Sequence, residues 1–142
     1  EPAAVVPVEK PSPDAVKSVW SYYFKGKGSG PVLVDAKLCL EVGKEGDSKS
    51  ECVADVPDTG VTLGAMLYVW QSYIIPDGEE VADLEIQVKL GDKVMETKPV
   101  GKMKGFWRQR TWNGVKLPKP GTWTLSIIRG EEVLKSLTVK AT

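Results

Sequence analysis

Gly105-Phe-Trp-Arg-Gln-Arg-Thr-Trp112, the Lys119-Pro-Gly-Thr-Trp123 turn and the run Thr124-Leu-Ser-Ile-Ile-Arg-Gly130 decide how this sequence reads. In the last of these, Trp123, Leu125 and Ile127 alternate with Thr122, Thr124 and Ser126, the period of a strand with one buried face. The first holds two of the chain's five tryptophans and the turn a third, in the most basic part of the molecule. Core or function is therefore concentrated here.

Outward from this stretch the same period recurs. Leu84, Ile86, Val88 and Leu90 alternate with Glu85, Gln87 and Lys89, and Gly91-Asp92 turns the chain into Val94-Met-Glu-Thr97. Val32, Val34, Ala36, Leu38 and Leu40 form another half-buried strand, joined through the polar loop Gly43–Ser50 to Cys52–Val56. Val61–Ile75 is apolar on both faces and rich in β-branched and aromatic residues, which predicts a central strand ending at a Pro76-Asp-Gly78 turn, with Trp70 between two layers. The strand carrying Phe106 to Trp112 is expected to end at an Asn113-Gly114 turn, with Trp107 and Trp123 in the core. Arg129-Gly-Glu-Glu132 turns into a last strand with Val133, Leu137 and Val139 inward. The expected fold is all-β, an antiparallel sandwich of about seven to eight strands, with residues 14–142 as one domain.

One segment has a different period. Ser12-Pro-Asp14 supplies an N-cap, a first-turn proline and a dipole-opposing carboxylate, and Val16, Val19, Trp20 and Tyr23 follow on one helical face. A short N-terminal helix is expected at about 13–24, ended by the loop Lys25–Gly30. Residues 1–13 carry Pro2, Pro7, Pro11 and Pro13, so they read as an extended tail or linker, either a tether or a segment that adds to a sheet edge. A chain beginning at Glu1 reads as one that has lost a leader.

The ending Pro120-Gly-Thr-Trp123 through Gly130, followed by Leu134-Lys-Ser-Leu-Thr-Val139, resembles the final hairpin of bacterial immunoglobulin-like sandwich domains. Arg110-Thr-Trp112 ahead of Pro-Gly-Thr-Trp is also similar to small bacterial extracytoplasmic domains of unknown function. The resemblance covers roughly residues 61 to 140 and implies an immunoglobulin-like fold without bringing an activity.

Composition excludes several chemistries. The 142 residues contain no histidine, so a Ser-His-Asp triad, a Cys-His dyad and a histidine zinc site are impossible. No glycine cluster has phosphate-cradling spacing. No catalytic residues, metal or cofactor are expected, and the chain is not read as an enzyme. Asp77, Glu79, Glu80 and Asp83 lack the register of a calcium loop and read as a solvated turn, and Met66, Met95 and Met103 do not cluster in sequence. No run is long and apolar enough for a transmembrane segment. Cys39 and Cys52, on paired strands, read as a disulfide of about 3 kcal/mol, with two free thiols as the alternative. Placed opposite each other they set Leu38 facing Val53. A disulfide implies an oxidising compartment, periplasmic or extracellular.

Between Lys93 and Lys119, eight basic residues stand against Glu96 alone, a local charge of +7 in a chain of zero net charge. Within it, alternation puts Phe106, Arg108, Arg110 and Trp112 on one face. Rings bracketing guanidinium groups can stack with them or present them to anions. Two readings compete for that face, a ligand surface and a solvated face whose charges block edge pairing. The leading expectation is a non-catalytic extracytoplasmic module, secreted or periplasmic, working by protein–protein contact or self-assembly as an accessory of an envelope assembly. The alternative is a carbohydrate or polyanion binder, with an acidic glycan on Phe106, Arg108, Arg110 and Trp112. Nucleic acid is not expected as a partner, because the oxidising compartment argues against it.

Overall fold

A computed structural model of the chain describes residues 31–142. The expected tail over 1–13, the helix over about 13–24 with Trp20 and Tyr23, and the loop at 25–30 lie outside the described residues. Among the described residues there are eight strands: β1 (Val32–Val42), β2 (Cys52–Asp55), β3 (Met66–Val81), β4 (Leu84–Leu90), β5 (Lys93–Pro99), β6 (Met103–Lys116), β7 (Gly121–Arg129) and β8 (Glu132–Ala141). They form two four-stranded antiparallel sheets, ordered β2-β1-β3-β6 and β5-β4-β7-β8.

Alternation builds the core as expected. Leu67, Val69, Tyr73 and Ile75 on β3 meet Leu84, Ile86, Trp123 and Leu125 from the second sheet in one buried cluster. Trp123 is buried, and its Nε1 donates to the Lys119 carbonyl at 3.0 Å, so the Pro-Gly turn satisfies the ring it introduces. β3 and β7 are inner strands that carry much of this burial, β7 through Trp123, Leu125 and Ile127. At each, a neighbour on both sides leaves no backbone edge exposed.

Polar side chains run through the core as a satisfied chain. The Tyr73 hydroxyl donates to Gln71 Oε1 at 2.6 Å, Gln71 Nε2 donates to Asn113 Oδ1 at 2.9 Å and to the Val69 carbonyl at 3.0 Å, and Asn113 Nδ2 donates to the Val100 carbonyl at 3.2 Å. Among the described residues no buried side-chain polar atom lacks a partner. The chain joins β3 and β6 to the β5–β6 connection, and burying it half-paired would cost more than an apolar core.

Several expected boundaries shift, each for a local reason. β3 starts at Met66, because Val61 instead exchanges backbone bonds with Lys140 and Thr142 beside β8. It also continues through Pro76-Asp-Gly78 as an irregular stretch rather than turning there. Gly105 makes this possible: a Cβ on it would lie 2.5 Å from the Pro76 carbonyl oxygen. β6 passes through Asn113-Gly114 without a turn, since both pair with β3. A bulge between Ile127 and Ile128 shifts the phase of β8, so Leu134 packs inward and Val133 is exposed. Trp107 is only half-buried and does not join the core.

The disulfide between Cys39 and Cys52 is present, with Cα atoms 5.8 Å apart. Its expected register is not. Cys39 pairs with Asp55 and Val42 with Cys52, with two irregularities between, so the bond runs diagonally and Val53 is exposed rather than facing Leu38 in the core. Trp70 does not lie between the layers either. It is buried with Cys39 and Val42 in a second cluster, on the outer face of the first sheet.

Candidate functional site

Directly paired residues on neighbouring strands point to the same side of a sheet, so the pairing of β1, β3 and β6 lays out the outer face of the first sheet as a grid. One row is Lys37, Trp70 and Trp112; the next is Cys39, Tyr68 and Gly114; beyond it Met66 stands beside Lys116; on the other side Ser72 pairs with Arg110. Arg110, Trp112, Gly114 and Lys116 therefore line one side of β6 in an uninterrupted register, and Arg108, in the irregular stretch beyond, joins Arg110 on Glu51.

Phe106 does not continue this line. β6 carries one extra residue between Gln109, opposite Tyr73, and Phe106, opposite Ile75, so the regular alternation expected over residues 106–112 holds only from 109. Phe106 is exposed and leans on Trp107 instead, with ring centroids 5.7 Å apart.

The β1–β2 loop folds over part of this face. Trp70 Nε1 donates to the Ser50 carbonyl at 2.7 Å, Lys37 Nζ sits 5.3 Å from the Trp70 ring, and the disulfide anchors the loop at its far end. Glu51 then accepts from both arginines, from Arg108 Nη2 at 2.6 Å and from Arg110 Nη1, which also donates to the Lys49 carbonyl at 3.1 Å. The two guanidinium groups thus clasp the loop. Sequence spacing carries no signal for Glu51 as their partner, because it lies 57 and 59 residues away from them.

Trp112 is left outside the loop's cover, 38% exposed. With Tyr68, Leu40, Glu41, Val42 and Lys44 it lines a cleft of about 180 Å³. Beside it Met66 and Tyr68 pack over Gly114, where a Cβ would come within 3.0 Å of Met66 Sδ and 3.5 Å of Tyr68 Cε1. A larger cleft, of about 430 Å³, lies at the seam between the β1–β2 side and β8, beside Lys37, Val56, Pro57, Asp58, Thr138 and Lys140.

Charge is distributed around this face. Lys104, Lys116 and Lys119 are exposed, and among the described residues none of them is in an ion pair. Lys102 pairs with Glu80 at 3.2 Å and Lys98 with Glu96 at 3.4 Å. Asp83 meets Arg129 Nε at 2.9 Å. No group of three or more Cys, Asp and Glu among the described residues is placed to hold a metal ion, so Asp77, Glu79, Glu80 and Asp83 do not converge. Burial pushes the Tyr73 phenol well above its ordinary value. No helix of the described residues is long and apolar enough to cross a membrane, and the disulfide is compatible with an extracellular location.

Fold and face together define a two-sheet β-sandwich with an aromatic, cationic outer surface. No protein-family model matches the chain, and a search of curated proteins finds no match. Among solved structures it is similar to the Pseudomonas fluorescens alkylpurine DNA glycosylase AlkC bound to DNA containing an abasic site analog, at 10% sequence identity and a TM-score of 0.51. The match covers 87% of this chain and 36% of that one, so the chain spans about a third of the glycosylase's length. At this identity the likeness is one of fold. It corrects the functional expectation: the sandwich is shared with part of a DNA-bound glycosylase, which overturns the reading as an extracytoplasmic accessory module.

Proposed function

We propose that this chain is a nucleic-acid-contacting β-sandwich module that binds through the outer face of β3 and β6. The observation that carries this reading is the row Arg110, Trp112, Gly114 and Lys116 beside Tyr68, which joins exposed ring surface to cations in the segment of charge +7. Non-specific nucleic-acid binding needs these two things, a cationic track for phosphates and aromatic faces on which bases stack. The DNA bound to the structurally similar glycosylase adds support. Binding is assigned to this chain without a reaction of its own, in keeping with a sequence that has no histidine.

We also read the sandwich as immunoglobulin-like. Its support is the strand order, in which β3 pairs with β6 in one sheet while β4, β7 and β8 pair in the other, as the B and E strands and the C, F and G strands do in that fold.

Anisotropy of a labelled single-stranded oligonucleotide, titrated with the protein at rising salt, tests the functional reading. Affinity should fall linearly on a log–log plot, and Lys104→Ala and Lys116→Ala should each flatten the slope by about 0.7. No binding at low salt, or binding whose slope ignores both substitutions, would sink it.

A further inference from the structure

We infer that the cleft between Tyr68 and Trp112 is a subsite for a single unstacked nucleobase, with Lys44 and Lys116 placed for the phosphates on either side of it. The inference rests on the nucleic-acid reading above and narrows it from a charged surface to a defined slot.

Four observations carry it. First, Trp112 pairs directly with Trp70, yet the two do not stack. Trp70 is turned toward β1, under the loop, where its Nε1 meets the Ser50 carbonyl and Lys37 covers its ring. Among the described residues the one ring–ring contact is Phe106 with Trp107, so no described ring stacks on Trp112.

Second, Tyr68 pairs with Gly114, which makes Tyr68 and Trp112 diagonal neighbours across the two strands. Diagonal positions on one face stand about 7–8 Å apart. A planar ring between two others needs about 3.5 Å on each side, so the spacing admits one ring and not two. The cleft volume of about 180 Å³ is of the same scale.

Third, the Tyr68 wall of the cleft rests on a glycine: Gly114 lies outside the cleft lining and lets Tyr68 and Met66 settle against β6. Any side chain at Gly114 would press on Met66 and Tyr68, the closest atom at 3.0 Å. Fourth, the charges fit a nucleotide. Lys44 lines the cleft and Lys116 follows Gly114 on the same side of β6, while Glu41, which also lines the cleft, is an acceptor for a base N–H such as thymine N3–H. A duplex keeps its bases stacked, so a slot for one ring selects single strands, ends or extruded bases.

The test compares two oligonucleotides of equal length and charge, one of deoxythymidines and one in which every base is replaced by an abasic site, followed by quenching of tryptophan fluorescence. The base-bearing strand should bind about tenfold more tightly than the abasic one. Trp112→Ala should erase that ratio, Trp112→Phe should retain most of it, and Gly114→Val, whose side chain would press on Tyr68, should lower it by displacing that wall of the cleft. If both strands bind alike, phosphates do all the work and the subsite is overturned while the nucleic-acid reading stands. If the ratio is present but survives Trp112→Ala and Gly114→Val, bases are read elsewhere and the subsite is again overturned. If neither strand binds, both readings fall together.

Discussion

Glu51 shows how much one residue decides here. It accepts from both Arg108 and Arg110, so the side chains most suited to an anion are engaged inside the molecule, at the edge of the Trp112 face. All three groups are partly exposed, which limits the stabilisation they supply. Glu51→Gln should cost about 1 kcal/mol, read as a lower urea midpoint with an unchanged m-value. It should also raise affinity for the oligonucleotide, by removing a negative charge beside the face and freeing two guanidinium groups. Reduced affinity would place the arginines outside the interface. Tyr73 acts at the same scale but in the core. Burial raises its phenol above the ordinary value near 10, so the unfolded chain releases this proton first. Its contribution to stability is complete below pH 10 and is lost as pH rises beyond it. Tyr73→Phe leaves Gln71 Oε1 without its donor and should cost about 1–3 kcal/mol near neutrality. Stability measured by urea unfolding should then fall less steeply above pH 10 than in the parent protein, and an equal slope would remove Tyr73 as the cause.

At the scale of elements, the β1–β2 hairpin is a cover held at three places: the disulfide, the Ser50 carbonyl on Trp70, and the Glu51 clasp. The hairpin has little else, since β2 is four residues long and pairs irregularly with β1. Opening the Cys39–Cys52 bond with a dithiol reductant, or replacing both residues with serine, should therefore cost about 3 kcal/mol. The loop should lift from Trp70 before the sandwich opens, because the main core does not depend on it. Acrylamide quenching should rise on reduction while the circular dichroism of the strands is kept. Unchanged quenching would mean that the polar contacts suffice to hold the loop. The neighbouring β6 illustrates a second element-scale effect. One extra residue between 106 and 109 separates Phe106 from the arginine row, and Gly105 lets that end of the strand meet the irregular stretch of β3.

For the whole molecule, charge and sheet order act together. The segment Lys93–Lys119 carries +7 in a chain of zero net charge, so the other residues sum to −7 and positive charge is concentrated in this segment. That segment spans β5, β6 and the approach to β7, and β6 is the edge strand of its sheet. An edge carrying Arg108, Arg110, Lys104 and Lys116 resists pairing with another strand, and the same charges steer a polyanion toward the rings beside it. The salt dependence of oligonucleotide binding reports this whole-molecule property, whereas the base-dependent ratio reports the slot alone.

Alternation made the sandwich legible. Residues such as Ile86 and Trp123 declare their face through their neighbours, because the two-residue period of a strand is local. The same holds for the cysteine pair, whose hairpin spacing is short, and for the basic segment, which is a sum over sequence. Phase and partnership were not legible. The bulges in β6 and β8 reverse facing after one inserted residue, so Phe106 leaves the arginine row and Val133 turns outward. Trp70 reads as core in sequence, yet its cover comes from a loop twenty residues earlier. What the sequence by itself determined is therefore the class of fold, the disulfide and the stretch that carries charge and rings. Only the tertiary structure decided that Glu51 holds the two arginines, and that Tyr68 and Trp112 line a common cleft. The reason is physical: strand faces follow from adjacent residues, whereas a contact across sheets or loops depends on register, and a single extra residue resets it.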